Sequence, residues 1–245
     1  MIRKKFDIII FIGRPGAGKS EVIDFLKQVP LARRKKIFHI ARIMEMDDFN
    51  FLIQRGSRDD VREKKGQARL DTLRGKHSSY RVKSRMTYVM LTRDINQYFL
   101  RHYDSERFYD YNTLFLEFSR GGRQAYQQTL EQLDPRILKR AVLLYIRVSF
   151  RESMRKNKKR FDPGRADSIL YHKVPYQVML TYRTDDWARI TARDRNYILL
   201  NKQVIPYLEF NNEPEKTNDQ KKIGMELQKG IDHLLDLYNK KEILY

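Results

Sequence analysis

The sequence predicts an α/β fold, a three-layer α/β/α sandwich built on a parallel sheet. Short runs rich in β-branched and aromatic residues alternate with segments of helical periodicity. The first of these runs passes directly into a glycine-rich turn at residues 13–18. Parallel strands joined by helical crossovers carry helices on both faces of their sheet, so both observations favour the same architecture.

The apolar runs predict five strands. They are expected at Phe6–Ile12, Lys36–Ile40, Asn112–Phe118, Val142–Val148 and Val204–Phe210. Helical spacing predicts two helix faces. One contains Leu91, Ile95, Tyr98 and His102, and the other contains Ile223, Leu227, Ile231, Leu234 and Tyr238. We expect residues 1–245 to form one domain with a helical insertion at 41–108 and a lid-like segment at 149–190, because both gaps exceed a simple crossover.

The turn after the first run matches G-x-x-x-x-G-K-[ST], the phosphate-binding loop or P-loop. Its glycines let successive backbone N–H groups turn inward around a phosphate, and the following helix offers the positive end of its dipole. The residues expected to hold a nucleotide are Gly13, Arg14, Pro15, Gly16, Ala17, Gly18, Lys19 and Ser20.

Two side chains of this loop carry its chemistry. Lys19 is expected to reach the β and γ phosphates, and the Ser20 hydroxyl is expected to bind the Mg²⁺ that bridges them. ATP and Mg²⁺ are therefore the predicted ligands.

The chain is strongly basic, with 50 Lys and Arg against 31 Asp and Glu and a formal net charge of +19. The surplus is concentrated in segments 62–85 and 136–160. A focused positive field attracts polyanions, so nucleotide substrates and, as an alternative, a nucleic acid are the expected partners. A basic surface that serves only solubility is the other interpretation.

The chain contains no cysteine, so disulfides and thiolate metal sites are excluded. The apolar stretch near the start is too short for a signal sequence or a membrane span. We expect a cytoplasmic monomer without a membrane partner.

Two further segments resemble a known family. The stretch Leu114–Ala125, with an acid ending the strand and Arg120 followed by Gln124-Ala125, resembles the third-strand segment of adenylate kinases and related nucleoside monophosphate kinases. Arg183-Thr184-Asp185-Asp186 is similar to the R-x-D-D of the lid in that family. The order of these segments along the chain also fits the family.

The resemblance implies roles for the acceptor side. Glu117 would act on the magnesium shell through water, Arg120 would hold the phosphate of the acceptor, and Gln124 would hydrogen-bond its base. Where the family carries a Gly-Asp-x-x-Arg segment after the second strand, this chain has His39–Asp48, and Arg42 is the candidate there.

The resemblance also implies roles for the lid. Arg183 would stabilise charge on the transferred phosphoryl group, and Asp185 and Asp186 would hold the lid and its arginines. Arg155 and Arg160 would point at the nucleotide. Together with Lys19, the predicted catalytic residues are thus Arg120, Arg155, Arg160 and Arg183.

These features predict a kinase that transfers the γ-phosphoryl group of Mg-ATP to a nucleoside monophosphate, because such transfer needs alignment and compensation of charge. Two alternatives remain open. One is an ATP-dependent enzyme that acts on a nucleic-acid end or another polyanion, and the other is a P-loop protein that binds nucleotide without efficient transfer.

Overall fold

A computed structural model describes residues 3–75, 80–122, 125–159 and 174–241 of the chain. In chain order, the elements are β1 (Ile8–Ile12), α1 (Lys19–Gln28), α2 (Leu31–Phe38), β2 (Arg42–Asp47), α3 (Asp48–Lys64), β3 (Thr72–Arg74), β4 (Tyr80–Val82), α4 (Arg85–His102), α5 (Glu106–Tyr111), β5 (Asn112–Phe118), α6 (Ala125–Glu131), α7 (Pro135–Arg140), β6 (Ala141–Arg147), α8 (Phe150–Lys159), α9 (Tyr176–Leu180), α10 (Trp187–Ile190), β7 (Tyr197–Leu200), β8 (Gln203–Asn211), α11 (Gln220–Gln228) and α12 (Ile231–Lys240).

The central sheet has the strand order β2-β5-β1-β6-β8-β7. Five of these strands run parallel, and β7 pairs antiparallel with β8 at one edge. The prediction of a three-layer α/β/α sandwich is confirmed, whereas the sheet has six strands instead of five. The sixth strand is joined to β8 by a tight turn at Asn201 and Lys202, both with positive φ, and sequence reasoning did not anticipate this hairpin.

The predicted strand at Lys36–Ile40 is wrong. Lys36, Ile37 and Phe38 complete α2, whose buried face carries Arg34 and Phe38 one helical turn apart. His39 ends the helix in the left-handed region at φ 55°, and the strand begins only at Arg42. The other four predicted strands coincide with β1, β5, β6 and β8 to within two residues at each end.

Side chains of β1 alternate between two apolar layers. Ile8, Ile10 and Ile12 face a core that contains residues of α4, α6 and α7. Ile9 and Phe11 face the layer formed with α1, α11 and α12. The predicted apolar face near the end of the chain is buried, but it belongs to two helices that are separated at Gly230.

The insertion between β2 and β5 is organised around buried Asp59 of α3. Its carboxylate accepts hydrogen bonds of 2.7 to 3.0 Å from the N–H groups of Leu70, Asp71 and Thr72 and from the Thr72 hydroxyl. These bonds fix the β3–β4 hairpin on α3.

The lid-like segment is described only in part, because residues 160–173 lie outside the described ranges. Among the helices that are described, none is both long and apolar enough to cross a bilayer.

We predict that Asp59→Asn lowers the free energy of unfolding by about 2–4 kcal/mol, because an amide NH₂ group would face backbone donors. Burial alone would raise the pKa of Asp59, but the N–H donors lower it below 3.8. The stabilisation is therefore present above that pH and is lost as the pH falls through the lowered pKa. Chemical denaturation of Asp59→Asn at pH 7 and pH 3, with exposed Asp236→Asn as control, measures it. Equal stability of both variants at pH 7 would contradict the prediction.

Candidate active site at the carboxyl edge of the sheet

The P-loop turns sharply between β1 and α1. Gly13, Gly16 and Gly18 adopt φ values of 154°, 70° and 109°, which L side chains rarely accept. A Cβ on Gly13 would lie 2.7 Å from the Ile146 carbonyl oxygen, and one on Gly18 would lie 2.6 Å from Asn212 Nδ2. Backbone conformation and close approach therefore both require glycine at positions 13 and 18.

Neighbouring elements hold the outside of this loop. Ser153 Oγ of α8 donates a 2.7 Å hydrogen bond to the Pro15 carbonyl, and Asn212 Nδ2 donates a 2.6 Å bond to the Ala17 carbonyl. Two carbonyl groups of the loop are thus held by neighbouring elements, and the N–H of Ala17 donates to the Arg14 carbonyl at 3.0 Å.

Lys19 is 4% exposed and its ammonium group is fully engaged. Nζ donates to the carbonyls of Gly13 and Arg14 at 3.1 and 3.4 Å and to Ser119 Oγ at 2.7 Å. It also lies 3.6 Å from Glu117 Oε1. Lys19 therefore links the P-loop to the end of β5.

Two carboxylates lie side by side at the carboxyl ends of β2 and β5. Asp47 ends β2 and is the cross-strand partner of Glu117 on β5. Burial, together with the nearby Asp48 and Glu117 carboxylates, raises the pKa of Asp47 to about 8. A pair of this kind fits a divalent cation, because the cation removes the repulsion that opposes ionisation.

No described group of three or more His, Cys, Asp or Glu side chains is spaced as a complete metal site. A Mg²⁺ ion could be held by Asp47, Glu117 and the hydroxyl of Ser20 in the first turn of α1, with nucleotide oxygens and water completing its shell. The donor set thus fits the predicted ion.

Arg120 follows the end of β5 and is only 3% exposed. Nη1 pairs with Asp48 at the start of α3, Nε donates to Thr129 Oγ1 at 3.2 Å, and the guanidinium lies 4.6 Å from the ring centre of Tyr88. Burial would lower the pKa of Arg120, but the Asp48 carboxylate raises it, so the group is charged. Its Nη2 is buried and has no hydrogen-bond partner among the described residues.

A segment comprising residues 181–186 connects the P-loop to the residues after β5. Arg14 donates to the Tyr182 carbonyl at 2.9 Å and to the Val148 carbonyl at 2.8 Å, and its Nη2 lies 2.7 Å from Asp185 Oδ2. The N–H of Gly122 donates to the Thr184 carbonyl at 2.9 Å. One segment therefore contacts both the P-loop and the region of Arg120.

Asp186 fixes this segment to α6. It is 2% exposed, and its two carboxylate oxygens accept the N–H groups of Tyr126 and Gln127 at 2.9 and 3.0 Å. The R-x-D-D acids thus act on a P-loop arginine and on a helix N-terminus.

The other predicted site residues are placed differently. Arg183 is exposed, and Arg155 is held by Glu152 and Glu215 at 2.6 to 2.8 Å. Arg42 is the first residue of β2, about 16 Å from the carboxyl end of that strand at 3.3 Å per residue. The acceptor-side expectation for Arg42 is therefore corrected, because the residue lies at the opposite edge of the sheet. The predicted residues Gln124 and Arg160 lie outside the described residues.

A cleft of about 480 Å³ opens beside Arg14, between the ends of β6 and β8 and the 181–186 segment. Tyr145, Arg147, Asp185, Trp187 and Glu213 are among its lining residues. This volume lies in the range of small-molecule sites. The carboxyl edge thus offers room for a ligand next to the P-loop.

Sequence reasoning assigned no role to Asp47, Asp48, Ser119, Asn212 or Thr217. A signal existed for the first two, since they directly follow Ile43-Met44-Glu45-Met46, which could have been taken as the second strand. The side chains of Asn212 and Thr217 fill the space that a Cβ on Gly18 would occupy, about 200 residues away in the sequence, and no local pattern indicates this proximity.

The fold and the loop together define a P-loop α/β protein. Solved structures similar to this chain include a gluconokinase from Sinorhizobium meliloti, with 14% identity over 98% of this chain and 97% of that chain and a TM-score of 0.49. A sugar kinase from Janibacter sp. shows 10% identity over 95% and 98%, with a TM-score of 0.47. A shikimate kinase from Acinetobacter baumannii in complex with shikimate shows 15% identity over 77% and 78%, with a TM-score of 0.34.

No protein-family model and no curated protein sequence matches the chain. At the TM-scores given, the structural likenesses carry no argument about activity, which therefore depends on the residues of the site.

We predict that Asp47→Asn raises the melting temperature of the Mg²⁺-free protein. The carboxylate of Asp47 opposes folding when it is ionised beside Glu117, whereas Asn still accepts from the Phe49 N–H. Because the pKa is raised to about 8, the gain should grow as the pH rises from 4 to 8. Addition of Mg-ATP should stabilise the wild type more than Asp47→Asn.

Thermal melts across this pH range test the prediction, with Glu45→Gln on the same strand as control. A lower melting temperature of Asp47→Asn at pH 8 without Mg²⁺ would contradict it.

We also predict that Arg14 and Asp185 are energetically coupled. Their side chains are 13% and 10% exposed, so removal of either charge leaves the other poorly compensated, at a cost of about 3 kcal/mol. A double-mutant cycle with Arg14→Gln and Asp185→Asn should give a coupling energy of about 1–3 kcal/mol in denaturant unfolding. Additive losses would show that the pair is not coupled.

Proposed function

We propose that this protein is a phosphotransferase that uses Mg-ATP and transfers its γ-phosphoryl group to a nucleoside monophosphate. The observation that carries the proposal is the buried Arg120 guanidinium, whose Nη2 has no described partner. A buried, unsatisfied cationic donor is costly unless a ligand satisfies it, and the planar guanidinium matches the geometry of a phosphate.

The position of Arg120 supports this proposal. The carbonyl oxygen of Ser119 accepts a 3.0 Å hydrogen bond from Arg120 Nη1, and Ser119 Oγ accepts from Lys19. Arg120 is thus one residue away from a contact of the P-loop lysine. A donor phosphate on the loop and an acceptor phosphate at Arg120 would lie on the same edge of the sheet, where open α/β sheets bind ligands.

The residues of the candidate site would take distinct roles in this reaction. The N–H groups of the P-loop and Lys19 would bind the phosphates of the nucleotide, and Arg120 would orient the acceptor. Asp47, Glu117 and Ser20 would hold Mg²⁺, which supplies compensation for charge on the phosphate oxygens. Arg14 and Asp185 would keep the loop and the acceptor region in register through the 181–186 segment.

A hydroxyl acceptor, such as a nucleic-acid end, is the second candidate. The pair Asp47 and Glu117 favours it, because a hydroxyl group must lose a proton during transfer, and a carboxylate at this end of the strands could accept that proton. A monophosphate acceptor is already ionised at neutral pH and needs no such base.

The test is an ADP-release assay with Mg-ATP and, in turn, a panel of nucleoside monophosphates and oligonucleotides that end in a 5′-hydroxyl. We predict that one monophosphate stimulates ADP release well above the water reaction. Lys19→Ala should lower kcat by about 100-fold, because a preorganised charge at the phosphates is lost. Arg120→Lys should chiefly raise KM for the acceptor, because the bidentate fork is lost while the charge remains.

Exposed Arg193→Lys is the matched control and should change neither parameter. Stimulation by the oligonucleotide alone would replace the first proposal with the second candidate. Tight binding of nucleotide without stimulation by any acceptor would contradict both. Unchanged activity in Lys19→Ala would contradict the role of the P-loop itself.

A further inference from the structure

The acidic side chains of the helical insertion are engaged inside it or with the rest of the domain. Arg55 holds Asp71 and Asp94, and Arg69 with Arg74 holds Asp60 and Glu63. Asp59 is occupied by the hairpin backbone, and Asp48 pairs with Arg120. These are all the acids between Asp48 and His102. Each described carboxylate between Asp48 and His102 is therefore already engaged.

Some of the remaining cationic side chains lie on one face of α3, which we name the α3 cationic face. Its exposed residues are Gln54, Ser57, Arg58, Val61, Lys64 and Lys65, where Lys65 is the C-cap. Gln54, Ser57, Val61 and Lys64 follow one another at intervals of three or four residues, and Arg58 and Lys65 lie beside this row, so all six share one side of the helix. Among the described residues, Arg58, Lys64 and Lys65 have no ion-pair partner, and the face contains no acid.

A second group of one Arg and two Lys, like Arg58, Lys64 and Lys65, lies on α2. Arg33, Lys35 and Lys36 are exposed on α2, but α2 ends at His39, which lies 2.7 Å from the exposed carboxylate of Asp232. The Asp232 carboxylate is thus engaged by His39, and what distinguishes the α3 cationic face is its place on the helix that begins at Asp48, the partner of Arg120. The two trios provide a matched comparison.

We propose that the α3 cationic face binds the sugar-phosphate backbone of a nucleic acid. Arg58 and Lys65 are seven residues apart, which corresponds to about 10 Å along a helix. That length covers about three phosphates of one strand at 3.4 Å each. Gln54 adds a side-chain amide donor of the kind that contacts phosphate oxygens.

The composition of this face favours nucleic acid over a lipid surface. A helix that lies in a membrane interface needs a large apolar face, and Val61 is the only apolar member here. The first cation of the face, Arg58, lies about 15 Å along α3 from Asp48, the partner of Arg120. A strand bound there would run towards the candidate acceptor site, although its binding does not depend on phosphoryl transfer.

The test measures fluorescence anisotropy of labelled single-stranded and duplex oligonucleotides of about 20 nucleotides, titrated with the nucleotide-free full chain at several salt concentrations. The test variant is Arg58→Gln/Lys64→Gln/Lys65→Gln, and the control is Arg33→Gln/Lys35→Gln/Lys36→Gln. Both remove one Arg and two Lys from exposed helical positions. Thermal melts verify that both variants are folded.

We expect the α3 variant to weaken binding at low salt by about tenfold or more and to reduce the slope of log K against log salt by about 2–3. The α2 control should change both quantities far less. Equal losses in the two variants would overturn the proposal, because binding would then follow net charge alone. No binding by the wild type, or binding to phosphatidylserine vesicles that exceeds binding to oligonucleotides, would overturn it as well.

Discussion

The arrangement of the segments at the carboxyl ends of the strands depends on the hydrogen-bond acceptors of the Arg14 guanidinium. They come from three places: the Val148 carbonyl after β6, and the Tyr182 carbonyl and Asp185 carboxylate of the 181–186 segment. A largely buried guanidinium without these partners would be strongly destabilising, so the three contacts fix how the chain returns across the edge after α9. That return brings Thr184 to Gly122, and a Cβ on Gly121 would lie 2.5 Å from the Thr181 carbonyl oxygen.

The P-loop and the buried strands could be predicted because their signals are local. β1, β5 and β6 are covered on both faces, so each contains at least three consecutive apolar residues and is recognisable without alternation. β2 is an edge strand with several exposed or half-exposed residues, and its Arg, Glu and Asp interrupt the apolar run that would indicate a buried strand. The stronger apolar signal at Ile37, Phe38 and Ile40 comes instead from the end of α2 and the residues after it.

The candidate site likewise could be predicted only where the signal is local in the sequence. Lys19, Ser20 and Glu117 follow from a motif or a strand end. The pairing of Arg120 with Asp48 joins positions 72 residues apart, and the engagement of Arg155 by Glu215 joins positions 60 apart. Such pairings are created by packing of the insertion and of α8. The resemblance to nucleoside monophosphate kinases implied that Arg120 holds the acceptor phosphate and that Arg155 points at the nucleotide, but it could not predict that Asp48, Glu152 and Glu215 pair with them.

The hydrogen bonds of Lys19 have a consequence for the thermodynamics of ligand binding. A free lysine side chain loses up to about 2 kcal/mol of rotamer entropy when it is immobilised. Here the Gly13 and Arg14 carbonyls and Ser119 Oγ immobilise the chain during folding, before any ligand arrives. The entropic penalty is thus already included in the stability of the protein. An incoming phosphate needs only to exchange these oxygens for its own, so the loop is preorganised for an anion.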